Sequence, residues 1–163
     1  MASNRHLGRI VALQTLYEYE FRHEVQPDVD VREILQRNTE RYQTAIDDTQ
    51  FIAELVDGVI AHSETLDEKL QPIAPGWPIS QIARIDRNIL RIGLYELLYK
   101  AEAVPPKVVI NEAVELAKAF GSDNSSKFIN GVLGTALRTL VEGEESNDET
   151  IAAWFYQEIF PKR

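Results

Sequence analysis

Ile79-Ser80-Gln81-Ile82-Ala83-Arg84-Ile85-Asp86-Arg87-Asn88-Ile89-Leu90-Arg91-Ile92-Gly93-Leu94-Tyr95-Glu96-Leu97-Leu98 is the stretch whose reading decides the fold. Ile82, Ile85, Ile89, Ile92 and Leu97 recur at helical spacing, and Leu90, Leu94 and Leu98 widen the stripe. So broad an apolar arc predicts a helix over 79–98 that runs through the middle of a bundle. Val104-Pro105-Pro106 stops it, because proline lacks the amide donor and restricts the residue before it. A second amphipathic run, Lys107 to Phe120, places Val109, Ala113, Leu116, Ala117 and Phe120 on one side, with Asn111, Glu112, Glu115 and Lys118 off it. Gly121 ends that run in the manner of a C′ glycine. Ser122-Asp123-Asn124-Ser125-Ser126 supplies N-caps for a third run carrying Phe128, Ile129, Val132 and Leu133.

Toward the N-terminus, Ser3 or Asn4 caps a helix running to about His23, with Ile10, Leu13, Leu16, Tyr17 and Phe21 on its apolar side. Arg5 and Arg9, one turn apart, share a face; taken alone they read as two solvated arginines. Val25-Gln26-Pro27-Asp28 is a linker. Val31, Ile34, Leu35, Asn38 and Tyr42 outline a less hydrophobic helix, and Asp47-Asp48-Thr49 caps a stronger one through Phe51, Ile52, Leu55, Val56, Val59 and Ile60. Ser63 to Leu70 reads as its short continuation. Pro72, Pro75, Gly76 and Pro78 then break the chain. The expectation is an all-α bundle of two packed helical subdomains, 1–71 and 79–142, joined by a linker at 72–78. Neither half alone offers enough apolar surface for a core. Trp77 reads as a plug over that core. An acidic tail over 143–163 ends in an amphipathic helix of Ile151, Trp154, Phe155, Ile159 and Phe160, expected to dock on its own bundle.

Composition bounds the function. A chain of 163 residues, 44% hydrophobic and 26% charged, fits one folded domain. The absence of cysteine excludes disulfides and thiolate-held metals, and suits a cytoplasmic setting. No stretch approaches the ~18 uninterrupted apolar residues of a membrane span, and Met1 to His6 leads into no signal-peptide core. His6, His23 and His62 are scattered without metal-ligand spacing. Asp47/Asp48 and Glu144/Glu145 read as solvated cap and tail charges, not as acid–base pairs. No glycine-rich phosphate loop is present, and Ser125/Ser126 has no histidine nearby in sequence to activate it. The expectation is a binding protein without cofactor or metal. A net charge of −9 requires that any nucleic-acid site be a local basic patch.

Several ordered blocks carry a resemblance: Leu13-Gln14-Thr15-Leu16-Tyr17, Ile85 to Arg91, Val104-Pro105, Val109 to Lys118, Phe120-Gly121 and Ser126 to Leu133. Together, from about Arg5 to about Leu140, they resemble the NusB family of bacterial transcription antitermination factors. The resemblance implies an all-helical protein that binds the single-stranded boxA segment of ribosomal RNA leaders. Its companion would be the small-subunit ribosomal protein that doubles as NusE, and other Nus factors and RNA polymerase would be engaged indirectly. An arginine-rich N-terminus contacts RNA in that family, and Arg5 and Arg9 match it. His6 and Leu7 stand where further arginines are usual. By the same resemblance, Gln14, Phe120, Asp123, Asn124, Lys127 and Phe128 fall on the RNA side. Asn124 replaces a common acid, which lessens repulsion of phosphate, while Asp123 still opposes it. A helix start after Gly121 suits a phosphate, and Phe120 and Phe128 would stack on bases; the plainer alternative makes both phenylalanines core residues.

For the protein partner, Tyr17 and Asp86 match family contact positions, and Glu96 and Glu112 extend an acidic face. In the structural alternative, Tyr17 completes the core stripe of the first helix and Asp86 pairs with Arg9 or Arg91. Two further readings stay open. One is a detached RNA-targeting domain like those of ribosomal RNA methyltransferases; the other is a helical adaptor without RNA affinity.

Overall fold

The run centred on Ile89 folds as a helix buried on nearly every side, and its neighbours arrange themselves around it. The computed structural model describes residues 4–74 and 78–143. Among the described residues, the regular elements are all helical: α1 (Arg5–His23), α2 (Val31–Arg41), α3 (Thr49–Ala61), α4 (Ser63–Leu70), α5 (Arg84–Tyr99), α6 (Pro106–Phe120) and α7 (Ser125–Ala136). Short 3-10 turns occupy Gln71–Ile73 and Ile79–Gln81, and a π-helical turn occupies Leu137–Val141. Ser3, Trp77 and the segment with Ile151, Trp154 and Phe160 lie outside the described residues.

The chain divides into two compact units, Met1–Ala61 and His62–Arg163. In the first, α1 packs on α2 and α3. Leu13, Leu16, Ile34, Leu35, Ile52, Leu55, Val56 and Val59 form its core. A buried hydrogen bond from Asn38 Nδ2 to Thr15 Oγ1 (3.1 Å) stitches α2 to α1. The Glu18 carboxylate joins the same two helices by accepting from Arg22 and Arg37. Asp30 Oδ1 accepts from Arg32 N at the start of α2, and Asp48 Oδ1 from Phe51 N at the start of α3. Asn4 stands at the N-cap of α1 but makes no capping bond; its Nδ2 reaches instead to Ala45 O at 2.7 Å.

In the second unit α5 packs on α4, α6 and α7. Ile89, Leu90, Ile92, Leu94, Tyr95 and Leu97 are all buried. Gly93 lets α7 come close: a Cβ there would stand 2.6 Å from Leu133 Cδ1. α4 is a separate helix and not an extension of α3. Leu66 and Leu70 are fully buried, and Arg91 of α5 grips Asp67 with both nitrogens, Nε to Oδ1 at 2.8 Å and Nη2 to Oδ2 at 2.7 Å.

The periodicity over 79–98 overstates the length of α5. Ile82 and Ala83 are extended and the helix begins at Arg84. The Arg87 guanidinium donates to the carbonyls of Ile79, Ser80 and Ile82 at 3.2–3.3 Å, and Ile79 O also accepts from Ile82 N. Gln71 Oε1 accepts from Ile79 N, so the two ends of the proline-bearing segment are tied together.

Candidate nucleic-acid interface

The turn between α6 and α7 is built around one small space. A Cβ on Gly121 would stand 2.5 Å from both Cβ and Oγ of Ser125 and 2.8 Å from Ala117 O. Gly121 is extended (φ −93°, ψ −171°). Its glycine character therefore serves close approach, not the left-handed backbone expected of a C′ glycine. Ser125, 2% exposed, fills that space. Its Oγ accepts from Ser122 N at 2.9 Å and lies 3.2 Å from Ser122 Oγ. A serine hydroxyl has one proton and two lone pairs. One of those lone pairs receives the Ser122 amide.

That frame presents Asp123, Asn124 and Lys127, all exposed. Asn124 occupies the N-cap position of α7 without a side-chain capping bond, so its amide is free to face outward. Lys127 adds a full charge to the partial positive charge of the helix start. Phe120 is 39% exposed and Phe128 is half-buried. The core stripe of α6 thus consists of Val109, Ala113, Leu116 and Ala117, and Phe120 stands off it.

On α1, the guanidiniums of Arg5 and Arg9 lie 4.8 and 5.2 Å from the centre of the Phe51 ring. Gly8 makes this possible, since a Cβ there would already press on the ring at 3.2 Å. The shared face expected of the two arginines is therefore a shared ring. They are not equivalent: Arg5 is half-buried, but Arg9 is only 3% exposed. Gln14 is half-buried, and its Oε1 is enclosed and accepts no hydrogen bond. Tyr17 and Phe21 are 40% and 56% exposed, so neither belongs to the core stripe as expected. The buried face of α1 keeps the expected Leu13 and Leu16 and adds Gly8, Val11, Ala12 and Thr15.

The acidic candidates separate. Glu112 is half-buried on α6, while Glu96 is 1% exposed and offers no surface to a partner. Its position on α5, the helix enclosed on all sides, accounts for that. Asp86 is half-buried with Oδ1 fully enclosed and accepting no hydrogen bond. Burial pushes its carboxyl above the usual carboxylate range, and the bond from Ser125 partly opposes this. Arg91, an expected partner of Asp86, is committed to Asp67.

The family model described as "NusB family" matches residues 6–138 of this chain. The chain belongs to the NusB family. A transcription antitermination protein NusB of Chloroflexus aggregans is 43% identical over 150 residues, covering 91% of this chain and 97% of that protein. A NusB structure from T. maritima superposes with a TM-score of 0.75 at 27% identity, over 93% of this chain and 99% of that one. A solved complex of antitermination factors NusB and NusE with double-stranded RNA matches with a TM-score of 0.73 at 25% identity, over 85% of this chain and 99% of that chain.

Within this NusB fold, sequence reasoning missed two residues that shape the candidate interface. Phe51 reads as an ordinary core position, and only the close approach of α1 at Gly8 turns its ring toward the arginines. Ser125 reads as a cap among several serines; the Gly121-x-x-x-Ser125 spacing was the available signal for its packing role. Among the described residues no group of side chains is arranged to hold a metal, and no helix is long and apolar enough to cross a membrane.

Proposed function

We propose that this NusB-family chain is a transcription antitermination factor that binds the boxA segment of ribosomal RNA leaders together with the ribosomal protein NusE. The observation that carries the reading is the match over 85% of the chain to a NusB bound to NusE and RNA. In the first unit Arg5, and in the second Lys127, are the accessible cations that this reading assigns to phosphates, and Arg9, pressed on Phe51, backs Arg5. Phe120 offers a ring for stacking on an unpaired base. Asn124 and Asp123 contribute hydrogen bonds to base edges, while Gln14 and Phe128 support the surface from within. In the first unit the exposed Tyr17 and Phe21, and in the second the half-buried Glu112 and Asp86, are the side chains this reading assigns to the ribosomal protein. The activity is binding; no reaction is catalysed. The discriminating measurement is affinity for boxA RNA against a scrambled sequence, with and without NusE. Tighter binding of boxA, strengthened by NusE, is expected; equal affinity for both RNAs would overturn the reading.

A further inference from the structure

A cation can be held by an opposite charge, which neutralises it, or by the face of an aromatic ring, which does not. The guanidinium carbon of Arg5 stands 4.8 Å from the centre of the Phe51 ring, and that of Arg9 stands 5.2 Å from the same centre. The backbone on both sides of this contact is tied down. Asn4 Nδ2 donates to Ala45 O at 2.7 Å, Asn4 O accepts from Gly8 N at 2.9 Å, and Asp48 Oδ1 accepts from Phe51 N at 3.0 Å. Gly8 seats the ring, since a Cβ there would stand 3.2 Å from Phe51 Cδ1 and 3.3 Å from Ile52 Cγ1. What the backbone leaves undetermined is the long side chain of Arg5, and the ring narrows its rotamers. We propose that Phe51 is a positioning residue for RNA binding: its ring holds the Arg5 guanidinium where it meets a phosphate, without neutralising it. The inference rests on the RNA-binding reading above and adds to it a residue that touches no RNA.

A ring suits that task in a chain of net charge −9. A carboxylate partner would order Arg5 as well, but it would stand as a like charge beside the incoming phosphate. A ring face attracts the guanidinium through its quadrupole and leaves the N–H donors to the phosphate oxygens. Arg9 lies against the same ring but is only 3% exposed, whereas Arg5 is half-buried. The effect of the ring on RNA binding should therefore pass through Arg5.

The test is a double-mutant cycle on the full chain. BoxA RNA is titrated against the parent, Phe51→Leu, Arg5→Ala and the two combined, with Phe51→Tyr as the conservative variant, at a temperature where melts show each to be folded. Phe51→Leu should weaken binding about twofold to fivefold, the scale of one exposed cation–π contact. Phe51→Tyr, which keeps a ring, should restore most of that affinity. In the Arg5→Ala background Phe51→Leu should hardly change binding, because the side chain on which the ring acts is gone. Loss by the same factor with and without Arg5 would overturn the proposal by making Phe51 a support of the fold, and so would parent-like binding by Phe51→Leu. Proton NMR of the free chains separates this failure from that of the RNA reading. The Arg5 Cδ protons should be shifted upfield by the ring in the parent and in Phe51→Tyr, and should move downfield in Phe51→Leu. Should the parent bind no boxA RNA, the RNA reading fails on its own; an unmoved Arg5 signal would then also defeat the hold of Phe51 on Arg5, and the expected movement would uphold it.

Discussion

Asn124 shows how a single side chain can be read for two effects at once. It is exposed and makes no capping bond, so exchanging it for aspartate should leave the melting temperature nearly constant. Under the proposed function, a carboxylate there would repel RNA phosphates at the start of α7. Asn124→Asp should therefore weaken boxA binding by about 1 kcal/mol or less, with a penalty that shrinks as salt rises. Filter binding at low and high salt reads both; undiminished affinity at low salt would move the RNA site to α1 alone. Asp86 gives a pH-dependent counterpart. Its folded-state carboxyl is raised by burial, so the native chain holds that proton to higher pH than the unfolded chain does. Stability associated with this group is thus present at acid pH and lost as pH rises through the raised value. Asp86→Asn, which cannot ionise, should be more stable than the parent at neutral pH, and the difference should vanish below the ordinary aspartate range. Thermal melts from acid to neutral pH would show it, and a constant offset would contradict it.

At the scale of helices, periodicity carried most of the reading. The apolar stripes of α3, α5 and α6 were legible because Ile, Leu and Val recur at their natural spacing and are buried where they recur. Two expectations failed. Ile79 and Ile82 continue the period of α5 but lie in a turn whose carbonyls belong to Arg87, a contact that no local pattern announces. Tyr17 and Phe21 continue the period of α1 but are exposed, while Gly8, Ala12 and Thr15 are buried beside Leu13 and Leu16. The candidate site divides in the same way. The exposed Asn124 and Lys127 could be read from the turn itself. The role of Ser125 depends on its close packing against Gly121, and that of Phe51 on the arginines of α1, distant in sequence. The α1–α3 contact yields a test: Phe51→Leu removes the ring beneath Arg5 and Arg9 and should cost about 1–2 kcal/mol of stability. Urea unfolding measures it, and a cost near zero would mean the ring and the guanidiniums merely lie close.

For the whole molecule the question is how a chain of net charge −9 would bind RNA as proposed. Exposed carboxylates repel a polyanion at long range, so the attraction must come from a few cations at short range. Arg5 and Lys127 are the two that the proposed interface offers. Each phosphate they neutralise should add about 0.7 to the slope of log affinity against log salt. Changing both to alanine should flatten that slope by the two contacts together, with helical content unchanged by circular dichroism. A slope that does not move would remove both residues from the interface.

Gly93 carries a consequence in time. Leu133 is fully buried and stands where a Cβ on residue 93 would be, so α5 and α7 close by seating one side chain in one gap. A seat of that kind can be filled only when both helices are already formed and aligned. It therefore governs how fast the protein is left more than how fast it is reached. Gly93→Ala, an overpacking change worth about 1–3 kcal/mol, should steepen the loss of native protein by raising the unfolding rate, while the refolding limb of a denaturant chevron stays where it was. Equal displacement of both limbs would mean that α7 locks onto α5 before the barrier is crossed.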